Sequence, residues 1–276
     1  TMIIQTPALV LAIRPWSKTS HMVTWLTPEH GKIVTAVKGA CRPKSAFLGQ
    51  YDLFYTCDLL FYRRDSEGVH AIRECAPLAL REGLRHQWRR AAAASYLCDL
   101  VARVTGGQQD AQPVFTLLSQ TLDRLNAAAP LNVHELILWF EMQLLQHAGL
   151  MPDLTPCPEC HPPSRAWLRF SLPSGRFLCP HLAQHQTGEA TLSLHRDVLE
   201  LFAALSQRPH DVLPPTGQPS FASKKSEDGA NLLLGLSRFL GMFIAFHLDV
   251  PSAVRRVALE MIDTTLRQKP VLLENS

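Results

Sequence analysis

Apolar and polar positions alternate early in the chain in a way that predicts β-structure. Val23, Trp25 and Thr27 alternate with Met22, Thr24 and Leu26, Pro28 and Gly31 supply a turn, and Ile33-Val34 resumes the extended pattern. That is a hairpin. Similar runs stand at Leu9–Ile13, Tyr51–Tyr62 and Val69–Cys75. Roughly five strands with short connections therefore fit the first part of the chain, a spacing that suits a small closed barrel.

After Pro77 the period changes. Leu78, Leu80, Leu84, Trp88, Ala91, Ala92, Tyr96 and Leu100 recur at helical spacing and end near Gly106-Gly107. A second helix is expected from Gln112 to Ala127. A third is bounded by Asn132 as a cap, Glu135 as in a capping box, and Gly149 at its end. Three helices on short loops predict a bundle. Further on, the pattern predicts a short helix over His195–Leu205, a Pro-rich loop over Pro209–Pro219 and a long apolar helix over Ala230–Leu248. Ser237, Arg238 and His247 interrupt that last run, which is short for a bilayer span, so a buried helix is expected and no membrane contact. Beyond Pro251 only a weak pattern of Val257, Met261 and Leu266 remains, and a flexible tail is expected.

Charge sharpens this picture. The chain of 276 residues carries a formal net charge of only +3. Residues 1–90 hold 13 Lys and Arg against 7 Asp and Glu, whereas the remainder holds 14 against 17. Phosphate contacts are thus expected on the barrel. Arg14, Lys32, Lys38, Arg42 and Lys44 share this module with Trp16, Trp25, Tyr51 and Tyr55. Basic groups with aromatics let a groove track phosphates while bases stack, and a solvated barrel rim is the plainer alternative. Arg81, Arg85, Arg89 and Arg90 fall on the first expected helix, at spacings that put several on one face.

The order Leu26-Thr-Pro-Glu-His-Gly31, then Lys38-Gly-Ala-Cys-Arg42 with Ser45, then strands before a helical half, resembles the RecO family of bacterial recombination mediators and DNA repair proteins. The resemblance runs from about Ile4 to His247, and its most specific part is the Thr-Pro-Glu-His-Gly turn with the Lys-Gly-Ala-x-Arg strand end. It implies an α+β chain: an N-terminal five-stranded OB-fold β-barrel followed by an α-helical domain with an inserted zinc-ribbon-like loop. The domains expected are 1–80 for the DNA-binding barrel, 81–150 for a helical bundle, 151–190 for the Cys/His insertion, 191–250 for completing helices and 251–276 for the tail. The implied activities are binding of single- and double-stranded DNA, annealing of complementary strands, and loading of recombinase onto DNA coated by single-stranded DNA-binding protein, with RecR as partner. DNA contacts are expected at Arg14, Trp25, Lys32, Lys38, Arg42 and Lys44. The resemblance also implies a basic, partly apolar groove for the acidic C-terminal tail of the single-strand binder. Arg85, Arg89, Arg103 and Arg124 are its candidates.

Seven cysteines, four of them scattered singly as Cys41, Cys57, Cys75 and Cys98, do not form a disulfide framework, and a reducing cytoplasm beside the nucleoid is expected. No basic stretch followed by an apolar run opens the sequence, so no export leader is expected. Cys157-Pro-Glu-Cys160 and Cys179-Pro-His181 have the spacing of a zinc ribbon, with Ala166–Leu172 and Gly175 as its hairpin. Many members of the resembled family carry four cysteines here, but Leu182 stands where the fourth would be. Either His181 or His185 completes a structural zinc site with Cys157, Cys160 and Cys179, or the ribbon packs without metal.

The sequence contains no nucleotide-binding Gly-rich loop, no nucleophile elbow and no tight carboxylate cluster. A non-enzymatic protein without nucleotide is expected, so recombinase loading would be driven by binding free energy exchanged between partners. Two rivals fit the same residues: a zinc-ribbon adaptor that binds only protein, and a nuclease whose ligands converge in three dimensions.

Overall fold

The computed structural model describes residues 2–64, 68–107, 110–127, 133–155, 166–178, 190–208, 226–262 and 273–275. It divides into two compact units, residues 1–128 and 129–276.

In the first unit, Met2–Ser17 (β1), Ser20–Thr27 (β2), Gly31–Val37 (β3), Thr56–Arg63 (β4) and Val69–Ala79 (β5) form a closed barrel in the order β1-β2-β3-β5-β4. Closure depends on β1 serving two partners. Its first half pairs with β4 from Met2↔Arg63 to Leu9↔Thr56, and its second half with β2 from Leu9↔Leu26 to Ser17↔Ser20. A register shift between Val10 and Ala12 lies at the changeover, where a bulge bends a strand around a barrel corner. Pro7 lies in the half that pairs with β4 alone, so its missing N–H breaks no second ladder.

The same reasoning corrects the expected helix start. β5 pairs in parallel with β3 only over Val69–Ala71, and its later residues pair with β4 alone. Pro77 is therefore tolerated inside an extended strand that runs on to Ala79, and Leu78 is an exposed strand residue rather than the first turn of a helix. Tyr51–Tyr55, expected as part of a strand, instead turns through Phe54 at φ +71°.

The turn that carries the most specific sequence signal is built locally. Thr27 Oγ1 donates to the Gly31 carbonyl at 3.0 Å and accepts from the His30 N–H at 3.2 Å. Gly31 takes φ +62°, the left-handed region open to glycine. Alternation then directs Val23 and Trp25 of β2 and Ile33 and Val37 of β3 into a core with Val10, Cys57, Leu59 and Phe61. Each large side chain fully buried here contributes about 1.5–3 kcal/mol.

Three helices complete this unit: Gly83–His86 (α1), Trp88–Val104 (α2) and Gln112–Asn126 (α3). Arg81 precedes them at φ +51° with its side chain buried. Its guanidinium reaches Asp123 Oδ1 at 2.7 Å, the Phe54 carbonyl at 2.6 Å, Thr56 Oγ1 at 2.9 Å and Ser119 Oγ at 2.9 Å, fastening the barrel to α3.

The second unit contains Val133–His147 (α4), Trp167–Ser171 (β6), Arg176–Phe177 (β7), Thr191–His195 (β8), Arg196–Ser206 (α5), Ser226–His247 (α6), Ser252–Ile262 (α7) and Leu273–Asn275 (β9). The bundle expected over 81–150 is thus divided, with α2 and α3 beside the barrel and α4 in the second unit. α4 ends as its sequence predicts: Gly149 at φ +68° lets Leu150 N–H donate to the Leu145 carbonyl and Gly149 N–H to that of Gln146, a Schellman closure.

β6 and β7 form the hairpin expected around Gly175, but β6 also pairs with β8, and β8 with β9, in a sheet ordered β7-β6-β8-β9. Phe170 from β6 packs edge-on against Phe177 and Phe239, Phe239 packs edge-on against Phe202, and the Phe243 ring lies tilted against Phe239 at 5.9 Å. The segment 251–276, expected to be a flexible tail, contains both α7 and β9. Its periodicity is weak because Val257 and Met261 lie on the exposed side of α7, while Arg255, Ala258, Leu259 and Ile262 are buried. Among the described residues no helix is long and apolar enough to cross a membrane.

Candidate nucleic-acid interface

The barrel sorts its basic side chains by strand parity. Along β3 the odd positions face the core, so Lys32, Val34 and Ala36 point outward, and Lys38 follows them just past the strand end. The two lysines meet different surroundings. Lys32 Nζ donates to the Ala102 carbonyl at 2.6 Å, one of the otherwise unpaired carbonyls in the last turn of α2. It borders a cleft of about 500 Å³ that also includes Arg14, Thr24, Asp99 and Arg103. One of its three N–H donors is spent on the helix end, so Lys32 is held against α2 and does not line the cleft that contains Lys38. Arg103 in the same cleft pairs with Asp99 at 2.7 Å.

Lys38 lines a second cleft, of about 420 Å³, with Trp16, Met22, Ala36, Phe47, Arg64, Val69, His70, Ala71 and Ile72. Trp16 stands at the end of β1 beside the β1–β2 turn, and Arg64 and Val69 come from the end of β4 and the start of β5. Trp16 is 54% exposed and offers a free ring face, whereas Trp25 is 0% exposed. Trp25 Nε1 donates to Thr35 Oγ1 at 2.9 Å inside the barrel, so the expected stacking role of Trp25 does not hold. The inward position that makes Trp25 a good core residue removes it from any ligand. Trp16 and Arg64 therefore join the candidate site. The aromatic–basic mixture is visible in the sequence, but only barrel closure brings Trp16, Lys38 and Arg64 to one cleft.

His70 records the local charge. Its pKa is lowered, first by burial and then by Arg63, Arg64 and His30. Nδ1 accepts from the Arg64 N–H at 3.3 Å, which favours the neutral ring. Because the folded-state pKa lies below the unfolded value, the stability contributed by neutral His70 is present above about pH 6.5 and is lost as pH falls through the folded pKa. We expect NMR titration of His70 to give a midpoint below that of an unfolded-chain histidine, with addition of phosphate or an oligonucleotide raising it. An unmoved midpoint on addition would argue against anion binding at this cleft.

Arg42 and Lys44 are exposed in the turns between β3 and β4 and line neither cleft. Gly39 at φ +70° sets the turn, and Arg42 folds over it, 3.4 Å from where a Cβ would stand. The expected arginine strip does not form. Gln87, at φ −130° and ψ 86°, separates α1 from α2, and Arg81 and Arg90 are buried. Arg85 pairs with Asp52 at 2.5 Å and Tyr55 at 2.9 Å, Arg89 stacks over Trp88 at 5.1 Å, and Arg124 is half-buried on α3.

Cys157, Cys160, Cys179 and His181 lie outside the described residues. Among the described residues no group of His, Cys, Asp and Glu is placed to hold a metal ion.

A small closed barrel with a basic, aromatic-edged cleft, followed by a second unit of helices and a four-stranded sheet, makes a two-part α+β protein. Residues 2–81 match the family described as Recombination protein O N terminal, and residues 85–256 match Recombination protein O C terminal. The chain belongs to the RecO family. It is 32% identical over 178 residues to the DNA repair protein RecO of Alkaliphilus metalliredigens, covering 64% of this chain and 71% of that protein. It is 24% identical over 268 residues to that of Rhodopirellula baltica, covering 96% and 97%. To that of Bacillus subtilis it is 26% identical over 178 residues, covering 64% and 68%.

Proposed function

We propose that the chain is a non-enzymatic DNA repair and recombination mediator whose OB-type barrel binds single- and double-stranded DNA and anneals complementary strands. With RecR, it would help load recombinase onto DNA coated by single-stranded DNA-binding protein, in the bacterial cytoplasm at the nucleoid. The observation that carries this reading is the cleft of Trp16, Lys38, Arg64 and His70, at the β1–β2 end of β1 and the facing ends of β4 and β5. OB barrels take oligonucleotides on the face between the β1–β2 and β4–β5 loops. Lys38 and Arg64 offset phosphate repulsion, Trp16 stacks a base, and Arg42 and Lys44 extend the positive surface toward a second strand. Pairing nucleates once two strands are held close, and no step needs nucleotide or metal.

A groove in the second unit supports the tail-docking part of the reading. α6 and α7 enclose about 680 Å³ lined by Leu234, Met242, Ala245, Phe246 and Leu259, with Arg238 and Arg256 among the lining residues. An apolar floor with cationic groups suits an acidic tail, and tethering through it raises the local concentration of the annealing surface on coated DNA.

The test is annealing of two complementary oligonucleotides by the purified chain without nucleotide or added metal, across a salt series. The expected result is rapid annealing that weakens steeply with salt and leaves both strands intact. Absence of DNA binding at low salt would favour the protein-only adaptor, and shortened strands would favour the nuclease.

A further inference from the structure

Four cysteines lie among the described residues, and they occupy opposite environments. Cys57, Cys75 and Cys98 are buried. Burial pushes the Cys98 thiol up to about 12, and the hydrogen bond with Cys75 followed by burial raises that of Cys57. Such thiols are inert. Cys41 is exposed, and its Sγ lies 3.2 Å from His21 Nε2.

The other nitrogen of that imidazole, Nδ1, is 2.8 Å from the Tyr51 hydroxyl, with the two rings edge-on at 6.1 Å. Tyr51 is itself fixed: it is 9% exposed and packs against the buried Trp25. Burial, then Cys41, Cys75 and Asp52, raises its phenol pKa, so the hydroxyl keeps its proton. The ring is thus held between the phenol and the thiol, and in the tautomer whose Nδ1–H donates to the Tyr51 oxygen, Nε2 accepts from the thiol. The backbone holds the sulfur in place, since Cys41 N–H donates to the Thr19 carbonyl at 3.1 Å and Gly39 N–H to Ser20 Oγ at 3.2 Å. A nucleophile, a base and a group that orients the base are thus assembled at the barrel rim, the arrangement that activates cysteine nucleophiles.

We propose that Cys41 is a reactive, peroxide-sensitive thiol, with His21 as its base and Tyr51 as the positioning residue for His21. The thiol proton passes to His21 Nε2. The sulfur then attacks one oxygen of a hydroperoxide, the O–O bond breaks, and the departing oxygen takes the proton from the imidazolium. Cys41 is oxidised by two electrons to the sulfenic acid, and the hydroperoxide is reduced to water or an alcohol. A low-molecular-weight thiol restores Cys41 by forming a mixed disulfide that a second thiol cleaves. Cys41 lies between Lys38 and Lys44 and next to Arg42, so a bulky or anionic adduct there crowds the positive rim. That consequence rests on the DNA-binding reading, but the reactivity itself does not.

The test uses the full chain and mass spectrometry that resolves each cysteine. At pH 7, iodoacetamide is expected to modify Cys41 about tenfold faster than a cysteine in an unstructured peptide. His21→Gln should abolish that advantage, and Tyr51→Phe should reduce it about threefold while leaving the far-ultraviolet circular dichroism unchanged. Hydrogen peroxide followed by a sulfenic-acid trap should label Cys41 in the unmodified chain and not in His21→Gln. A Cys41 rate equal to the peptide's, or one indifferent to His21→Gln, overturns the proposal. Oligonucleotide binding before and after peroxide, with Cys41→Ser as the insensitive control, separates the two claims. Labelling without a change in binding overturns only the coupling to DNA, and an untreated chain that binds no DNA overturns the functional reading while leaving the thiol result intact.

Discussion

Replacing both Lys38 and Arg64 by Glu is expected to weaken single-stranded oligonucleotide binding by about two orders of magnitude at ~0.1 M salt, and to flatten its salt dependence. Each phosphate contact releases a counterion and contributes about −0.7 to the slope of log K against log salt for a single strand, so two lost contacts remove about 1.4 from it. Charge reversal adds repulsion to that loss. Trp16→Ala should act differently, lowering affinity about ten- to a hundredfold through a lost stack while leaving the slope almost unchanged. Lys32→Met is the informative contrast. Its ammonium satisfies the Ala102 carbonyl at the end of α2, so its loss should cost about 1 kcal/mol of stability and leave the salt slope as it was. Fluorescence anisotropy over a salt series separates these outcomes, and equal slopes for the Lys32 and Lys38–Arg64 variants would refute the placement of the site.

Arg255→Ala should destabilise the second unit by about 3–5 kcal/mol, the cost of removing one partner from a buried ion pair. Arg255 on α7 donates to both Glu141 oxygens, through Nε at 2.7 Å and Nη2 at 2.8 Å, and its Nη1 lies 3.3 Å from Ser237 Oγ on α6. The Glu141 side chain is 0% exposed and that of Arg255 8%, so water cannot replace the lost fork. Gly241 records the same crowding, since a Cβ there would stand 2.9 Å from Arg255 Nη1. Gly241→Ala is accordingly expected to destabilise as well, because the bidentate bond prevents the guanidinium from moving aside. Removing both charges, as Glu141→Leu with Arg255→Met, should recover much of the loss, because the cost lies in stranding one charge. Urea unfolding followed by tryptophan fluorescence measures these differences, and an unchanged midpoint for Arg255→Ala would show that α7 is not fastened in solution.

This ion pair also shows where sequence reading stops. α7 has a faint apolar stripe, and what secures it is an arginine whose partner is 114 positions earlier on α4, a separation no local pattern reports. The same holds for the arginines after the barrel. Spacing placed Arg81, Arg85 and Arg89 on one helical face, but the left-handed turn at Arg81 and the break at Gln87 give each a separate neighbourhood. The strand β8 carries no distinctive signal in the sequence, because five residues of ordinary alternation acquire their identity only from partners in β6 and β9.

The sequence by itself determined the β2–β3 hairpin, its Thr27–Gly31 turn, the Gly149 end of α4, the helices α3, α5 and α6, and the concentration of positive charge on the barrel half. Those features are written in residues close together in the chain, through strand parity, capping chemistry and the left-handed tolerance of glycine. The tertiary structure alone decided which parity faces inward, and so that Trp25 belongs to the core and Trp16 to the surface. It also decided that Lys32 ends a helix while Lys38 faces an open cleft, and that Cys41, His21 and Tyr51 meet. Barrel closure and long-range packing set these outcomes, because they bring together side chains whose separation along the chain carries no periodic signal.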